Sequence, residues 1–240
     1  MNFVSTFAES LARLDDRIAA ACRRSGRPRS AVRLMAVSKT HPAEAIAIAV
    51  AAGISLFGEN RVQEFEAKRP GLRSLIPAGA EIHLIGHLQS NKSARAAELF
   101  DAVDTVDSLR LAERLQEAAA RFSKTLPIFL EIKLSPESTK SGLEPDDPEL
   151  TALLERLPDL RHLALRGLMT IAPLDDKPRS ARTCFRQLRQ LRDRLVVAHP
   201  LLDFSELSMG MSGDFETAIE EGSTLVRIGS ALFGDRPQPR

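Results

Sequence analysis

Short apolar runs and helical stretches alternate along this chain, and few folds accept that order. The runs fall at 33–37, 55–57, 82–85, 102–106, 128–132, 165–169, 206–208 and 225–228. Helical spacing fills the intervals near 42–52, 60–68, 90–98, 108–122, 147–157, 178–198 and 214–221, and a last half-turn opens near Ser230. Strand–helix units in series build a parallel sheet covered by helices on both sides. With 240 residues, 43% of them apolar, closure into a barrel fits better than an open doubly wound sheet. A helical stripe at Phe3, Phe7, Leu11, Leu14, Ile18 and Ala21 precedes the first run and ends at Gly26-Arg27-Pro28. The expected fold is therefore α/β, a single (β/α)8 TIM-type barrel with an extra N-terminal helix. Neither a Gly/Ser linker nor a shift in composition marks a second domain, so residues 1–240 are expected to form one domain.

Composition excludes several classes of partner. A net charge of +1 gives the chain no overall attraction for nucleic acid or for a membrane surface. The densest basic stretch, 179–194, places arginines at 182, 186, 189, 192 and 194 around Phe185, Leu188, Leu191 and Leu195. That spacing describes the solvated face of an amphipathic helix. Cys22 and Cys184 form no CxxC unit, and the first residues lack a secretory apolar region, so a reduced, cytoplasmic setting is expected. No apolar stretch approaches the roughly 20 residues that span a bilayer. His41, His83, His87, His162 and His199 have no metal-ligand spacing, and no metal is expected.

Lys39 is the first residue that needs a chemical explanation. It follows the apolar run Leu34-Met35-Ala36-Val37 after a single serine, and Thr40-His41-Pro42 comes next. In a barrel that position is the carboxyl end of the first strand, on the face where ligands bind. A lysine desolvated there offers a neutral amine that attacks carbonyl groups, as in Schiff-base enzymes. The plainer alternative is a lysine whose stem lies along the barrel rim while its charge reaches water.

Other polar residues gather at the same strand ends. Ser208-Met209-Gly210-Met211-Ser212-Gly213 follows strand seven, and Gly229-Ser230 follows strand eight. Glycine allows close backbone approach, and a serine opening a helix adds N–H groups that favour an anion, so these stretches resemble a phosphate cup. Barrels often place phosphate after strands seven and eight. Ser212 and Ser230 could also be simple helix caps. Arg227 lies inside Leu225-Val226-Arg227-Ile228, where it is either buried in an ion pair with Glu131 or Glu206, or a donor to a ring nitrogen or anion. Pyridoxal 5'-phosphate would satisfy the set, with its aldehyde on Lys39, its ring nitrogen at Arg227 and its phosphate on Ser212, Gly229 and Ser230. Asn60 is a helix cap or a ligand donor, and Met169 and Ser208, at the ends of strands six and seven, complete the expected cofactor-binding set. His83 reads as a satisfied core histidine, and Gln89, Asn91 and Lys92 as caps or braces for the loops. Lys140, in the long loop after strand five, is solvated or folds over the pocket.

Taken together, these stretches resemble the pyridoxal phosphate homeostasis protein family. The matching segments are Ala36-Val37-Ser38-Lys39-Thr40, Phe57-Gly58-Glu59-Asn60 with Val62-Gln63-Glu64, and His83-Leu84-Ile85-Gly86-His87-Leu88-Gln89 with Asn91-Lys92. They continue through Lys140-Ser141-Gly142, Arg166-Gly167-Leu168-Met169, Ser208-Met209-Gly210-Met211-Ser212 and Val226-Arg227-Ile228-Gly229. The resemblance implies a barrel similar to the N-terminal domain of alanine racemase, with the cofactor bonded to Lys39, Arg227 at its ring nitrogen and Ser212, Gly229 and Ser230 at its phosphate. Arg61 stands where many members carry tyrosine, a departure at the pocket rim.

Two activities are compatible with Lys39, namely holding and delivering the cofactor, or catalysing amino-acid racemisation. Racemisation in the manner of alanine racemase needs a second base, there a tyrosine from a second domain, and this chain contains no tyrosine. Arginine at the ring nitrogen stays protonated and weakens the ring as an electron sink. The expectation is a non-catalytic carrier acting in intracellular cofactor homeostasis. Its expected partners are pyridoxal phosphate and apo forms of enzymes that use it, with no nucleic acid or membrane, and a monomer is expected. A barrel that uses Lys39 on sugar phosphates without a cofactor is the remaining alternative.

Overall fold

A computed structural model describes residues 3–72, 75–77, 79–135, 141–173 and 178–234. Among them, parallel strands close into a barrel in sequence order: β1 (Arg33–Val37), β2 (Leu56–Glu59), β3 (Glu81–Leu84), β4 (Ala102–Val106), β5 (Leu126–Glu131), β6 (Leu163–Met169), β7 (Glu206–Ser208) and β8 (Leu225–Ile228). β1 and β8 close the ring, with Met35 opposite Arg227 and Ala36 opposite Ile228. The expected eight-stranded barrel is the architecture found.

Helices α2 (Ala43–Ala51), α3 (Val62–Leu72), α4 (Ser93–Leu99), α5 (Leu109–Arg121), α6 (Pro148–Arg156), α7 (Pro178–Ala198) and α8 (Phe215–Glu220) follow strands one to seven, and α9 (Ser230–Phe233) follows the eighth. The strands read as continuous apolar runs because each has two buried faces. Inward residues Met35, Leu56, Ile85, Phe129, Met169 and Leu225 fill the barrel, while outward residues such as Ala36, Phe57, Leu130 and Ile228 pack beneath the helices.

The polar residues inside the barrel lie at both ends of it. At the amino end, Arg33, Glu81 and Glu206 begin their strands, and Arg33 pairs with Glu81 at 2.8 Å and with Glu206 at 3.6 Å. His83 lies 2.9 Å from Asp104 and 3.3 Å from Glu81. Burial alone would lower its pKa, but the two carboxylates outweigh burial and push it up to about 9. His83 is therefore a core histidine with both ring nitrogens bonded, as its setting suggested.

Helix α1 (Phe3–Arg24) packs on the last two helices rather than beneath the barrel. Arg17 bonds Glu216 and Arg24 bonds Glu220, each at 2.7 Å, and Phe7 meets Phe233 at 5.3 Å between ring centroids. The basic face of α7 is more than a solvated surface. Arg182, Arg186 and Arg189 converge on the buried carboxylate of Glu221 at 3.0, 3.1 and 3.5 Å, so the arginines tie α7 to the end of α8.

Some boundaries differ from the periodicity. β2 continues two residues past Phe57 because Glu59 finds buried partners, which hydropathy cannot register. α3 runs on through Pro70 to Leu72, near its end, where Leu72 is buried. Residues 90–92 form a single 3-10 turn before α4 begins.

Candidate functional site

Lys39, Asn60, Ser212, Arg227, Gly229 and Ser230 line one cavity of about 360 Å³ at the carboxyl end of the barrel, together with His41, Ile85 and Ile171 among others. Six of the eight residues expected to hold a ligand are thus brought together. Met169 and Ser208 do not line it. Met169 is fully buried in the barrel interior, and Ser208 lies behind Arg227 as one of its acceptors.

Arg227 is held without a carboxylate bond. Its Nη1 donates to the carbonyl oxygen of Ser208 at 2.7 Å and to Ser208 Oγ at 2.8 Å, and its Nη2 donates to the carbonyl oxygen of Thr170 at 2.8 Å. Neither Glu131 nor Glu206 forms the ion pair that burial suggested, because neutral strand-end carbonyls meet the guanidinium first. Burial pushes its pKa below the usual guanidinium value, opposed by Asp104, Asp214 and Glu131. A cation fixed this way lines the cavity with its position set by three hydrogen bonds.

The loops after β7 and β8 form the wall beside Arg227. Ser212 Oγ accepts a hydrogen bond from the N–H of Ala231 in α9 at 3.4 Å, so it joins the two loops and does not cap α8, whose cap position is Asp214. Asp214 instead accepts from the N–H of Met211 at 2.6 Å, which closes the turn. Gly210 has φ +97, and a Cβ there would lie 2.6 Å from Ala218, so glycine is required for the turn to pack on α8. The N–H of Arg227 donates to Gly210 O at 2.9 Å and fixes the same turn against β8.

Lys39 is half-buried and follows the fully buried Ser38. The segment is tied down on both sides. Ser38 Oγ donates to Glu59 at 2.8 Å, and the ammonium of Lys68 meets Ser38 O at 3.0 Å and both Glu59 oxygens at 3.0 and 3.1 Å. Lys68 also pairs with Glu64 at 2.8 Å, and Glu64 accepts from the N–H of Thr40. His41 is buried and stacks on Phe233 of α9 at 4.8 Å. Asn60 is placed by Gly86, where a Cβ would fall 2.2 Å from Asn60 O.

A second polar group lies near the same barrel mouth. Glu131 ends β5 with 6% exposure, and its Oε2 has no hydrogen-bond partner. Burial first, and then Asp107, push its pKa up to about 7 against the pull of His87 and Arg227. Asp107 pairs with His87 at 3.2 Å.

Lys68 escaped the sequence reading, and Glu59 and Glu64 entered it only within matching segments, with no role assigned. Glu64 and Lys68 have the spacing of an ordinary exposed helix pair, and only the polar residue inside Phe57-Gly58-Glu59-Asn60 hinted at a buried carboxylate. Gln89, Asn91 and Lys92 do not line the cavity, and Gln89 and Asn91 are exposed. Lys140 lies outside the described residues. Among the described residues no cluster of His, Cys, Asp or Glu could hold a metal ion, and no helix is long and apolar enough to cross a membrane.

Residues 10–237 match the family described as alanine racemase, N-terminal domain. Two curated relatives carry the name pyridoxal phosphate homeostasis protein. One, from Pasteurella multocida, is 43% identical over 96% of this chain and 98% of its own length, and another, from Escherichia coli K12, is 44% identical over 97% and 98%. Among solved structures, PipY of Synechococcus elongatus with PLP bound superposes with a TM-score of 0.83 at 44% identity, covering 95% of this chain and all of that one. Alanine racemase of Clostridium difficile superposes with a TM-score of 0.71 at 16% identity over 57% of its own length, a likeness of fold alone.

Proposed function

The chain belongs to the pyridoxal phosphate homeostasis protein family, and from that premise we propose that it binds pyridoxal 5'-phosphate at the cavity around Lys39 and holds it for intracellular supply. The observation that carries the reading is the common cavity itself, with a primary amine, a fixed guanidinium and glycine–serine loops lining one pocket of about 360 Å³. Each group fits one part of the cofactor. When bound, the cofactor brings an aldehyde that bonds reversibly to a primary amine.

The residues divide the work. Lys39 presents the amine from a segment fixed on both sides. Arg227, with three bonds to backbone and serine oxygens, donates to an acceptor and does not give up its proton, so it favours an unprotonated ring nitrogen. Ser212, Gly229 and Ser230 supply hydroxyl and backbone donors for a phosphate. Asn60 and His41 shape the rim near Lys39, while Met169 and Ser208 act from behind the cavity wall.

A carrier role without catalysis is supported by what surrounds Lys39. Two-base racemisation needs a proton acceptor on each face of the substrate, and the cavity lining contains neither tyrosine nor cysteine. Cys22 and Cys184 are buried in α1 and α7. We further propose that the chain works as one barrel domain, as a monomer in the cytoplasm, and yields the cofactor to apo-enzymes.

The test is an absorption spectrum of purified protein with pyridoxal phosphate before and after borohydride, for wild type and Lys39→Ala, followed by incubation with L-alanine and chiral analysis. A visible band that borohydride bleaches while leaving the cofactor covalently attached to Lys39, with no D-alanine formed, is the expected result. Efficient racemisation overturns the carrier reading, and the absence of any band in wild type overturns cofactor binding.

A further inference from the structure

Lys68 touches no part of the cavity, yet every bond it makes bears on the two residues that flank Lys39. Its ammonium lies 3.0 Å from the carbonyl oxygen of Ser38, the residue before Lys39. It lies 3.0 and 3.1 Å from Glu59, which grips the Ser38 hydroxyl at 2.8 Å. It lies 2.8 Å from Glu64, which accepts from the N–H of Thr40, the residue after Lys39. One cation therefore organises both flanks of the reactive amine.

The flanks need organising. Thr40 has φ +66, a region that a β-branched residue adopts only when its surroundings impose it. Glu59 has no exposure, and burial pushes its carboxyl upward, an effect that Lys68 and the Ser38 hydroxyl oppose. The Lys68 side chain is itself only 11% exposed, which is unusual for a lysine that serves only as a surface partner. A buried pair of this kind adds little stability over an apolar replacement, and what it does here is tie Ser38, Glu59 and Glu64 to one cation.

We propose that Lys68 is a positioning residue for Lys39. It holds Ser38 and Thr40 so that the Lys39 amine meets the cofactor aldehyde, and it strengthens the covalent hold without touching the cofactor. The inference rests on the cofactor reading above, and it makes a distinction that a general structural role does not. A residue acting through the Lys39 amine matters for a ligand with an aldehyde and not for one that fills the same pocket without it.

The experiment compares binding of pyridoxal 5'-phosphate with binding of pyridoxine 5'-phosphate, which carries an alcohol in place of the aldehyde, to wild type, Lys68→Met and Lys68→Arg by calorimetry. Lys68→Met is expected to weaken the aldehyde ligand by at least about tenfold and to leave the alcohol ligand within about twofold. Lys68→Arg, which keeps the cation, is expected to recover most of the loss. Equal weakening of both ligands, or no weakening of either, overturns the proposal. Should Lys68→Met not fold, the double variant Glu59→Gln/Lys68→Met removes both buried charges and is read by the same two ligands and the same criteria. Failure of wild type to bind either ligand overturns the cofactor reading instead, so the two failures are distinguishable.

Discussion

Arg227 Nη2 donates to the backbone carbonyl of Thr170 at 2.8 Å, so a side chain of β8 reaches past β7 to the end of β6. The bond makes the arginine part of the barrel rim as well as a cavity group. Replacing it with leucine would leave the carbonyl of Thr170 without this buried donor, while the carbonyl of Ser208 keeps the N–H of Thr170 at 3.2 Å. Arg227→Leu is expected to lower stability by about 1–3 kcal/mol, since the stranded Thr170 acceptor then bears its desolvation cost unpaired. Urea unfolding of the variant beside wild type measures it, and a loss below about 1 kcal/mol would show the rim closes without this residue.

The proposed phosphate cup predicts a charge effect. Ser230 is exposed and opens α9, so an aspartate there fits without repacking. Ser230→Asp is expected to weaken pyridoxal phosphate by at least about tenfold through like-charge repulsion, with the melting temperature changed by no more than a few degrees. Titration in low and high salt checks it, because the penalty should shrink as salt screens the new charge.

Gly86 predicts a link between packing and ligand binding. An added Cβ would lie 2.2 Å from Asn60 O, and the Gly86 carbonyl already accepts from Thr105 Oγ1 at 2.9 Å, which limits its retreat. Gly86→Ala is expected to cost about 1–3 kcal/mol and to displace Asn60 at the cavity wall. Unfolding together with a cofactor titration would find both effects, and neither would appear if the backbone at Asn60 yields freely.

The amino end of the barrel predicts a pH dependence that is independent of the ligand site. His83 is raised from 6.5 to about 9. A raised histidine contributes stability that is complete below about 6.5 and is lost as pH climbs through 9. Wild type should lose on the order of 3 kcal/mol across that window. His83→Gln should start less stable at pH 6 and show a flatter profile to pH 9. Parallel slopes for the two proteins would assign the alkaline loss to another group.

How much of this was legible in the chain depends on which residues carried the pattern. Parallel strands buried on both faces leave uninterrupted apolar runs, which is why all the strands found coincide with runs read from the sequence. Lys39, Arg227 and the glycine–serine loops were visible because a charge or a glycine at the end of such a run has no place in a core. Ser208 and Met169 looked equivalent to their neighbours, since sequence position gives a strand end but not which way a side chain turns there. The clamp of Glu59, Glu64 and Lys68 was hidden for a different reason. Its members sit on β2 and α3 with spacing that an ordinary surface helix shares, and only packing reveals that their common target is the backbone around Lys39.

The closure of the ring by β1 against β8 has a consequence for when the pocket comes into being. Lys39 leaves the first strand, whereas Arg227, Gly229 and Ser230 belong to the last strand and the turn beyond it, and Phe233 of α9 stacks on His41. No partial barrel contains both walls of the cavity. Contacts between such distant segments are slow to form because a long loop must close first. A nascent chain can therefore expose the Lys39 amine for as long as the final strand is missing, but it cannot grip a phosphate beside it. On the proposed reading, capture of a reactive aldehyde is in this way deferred until folding is complete.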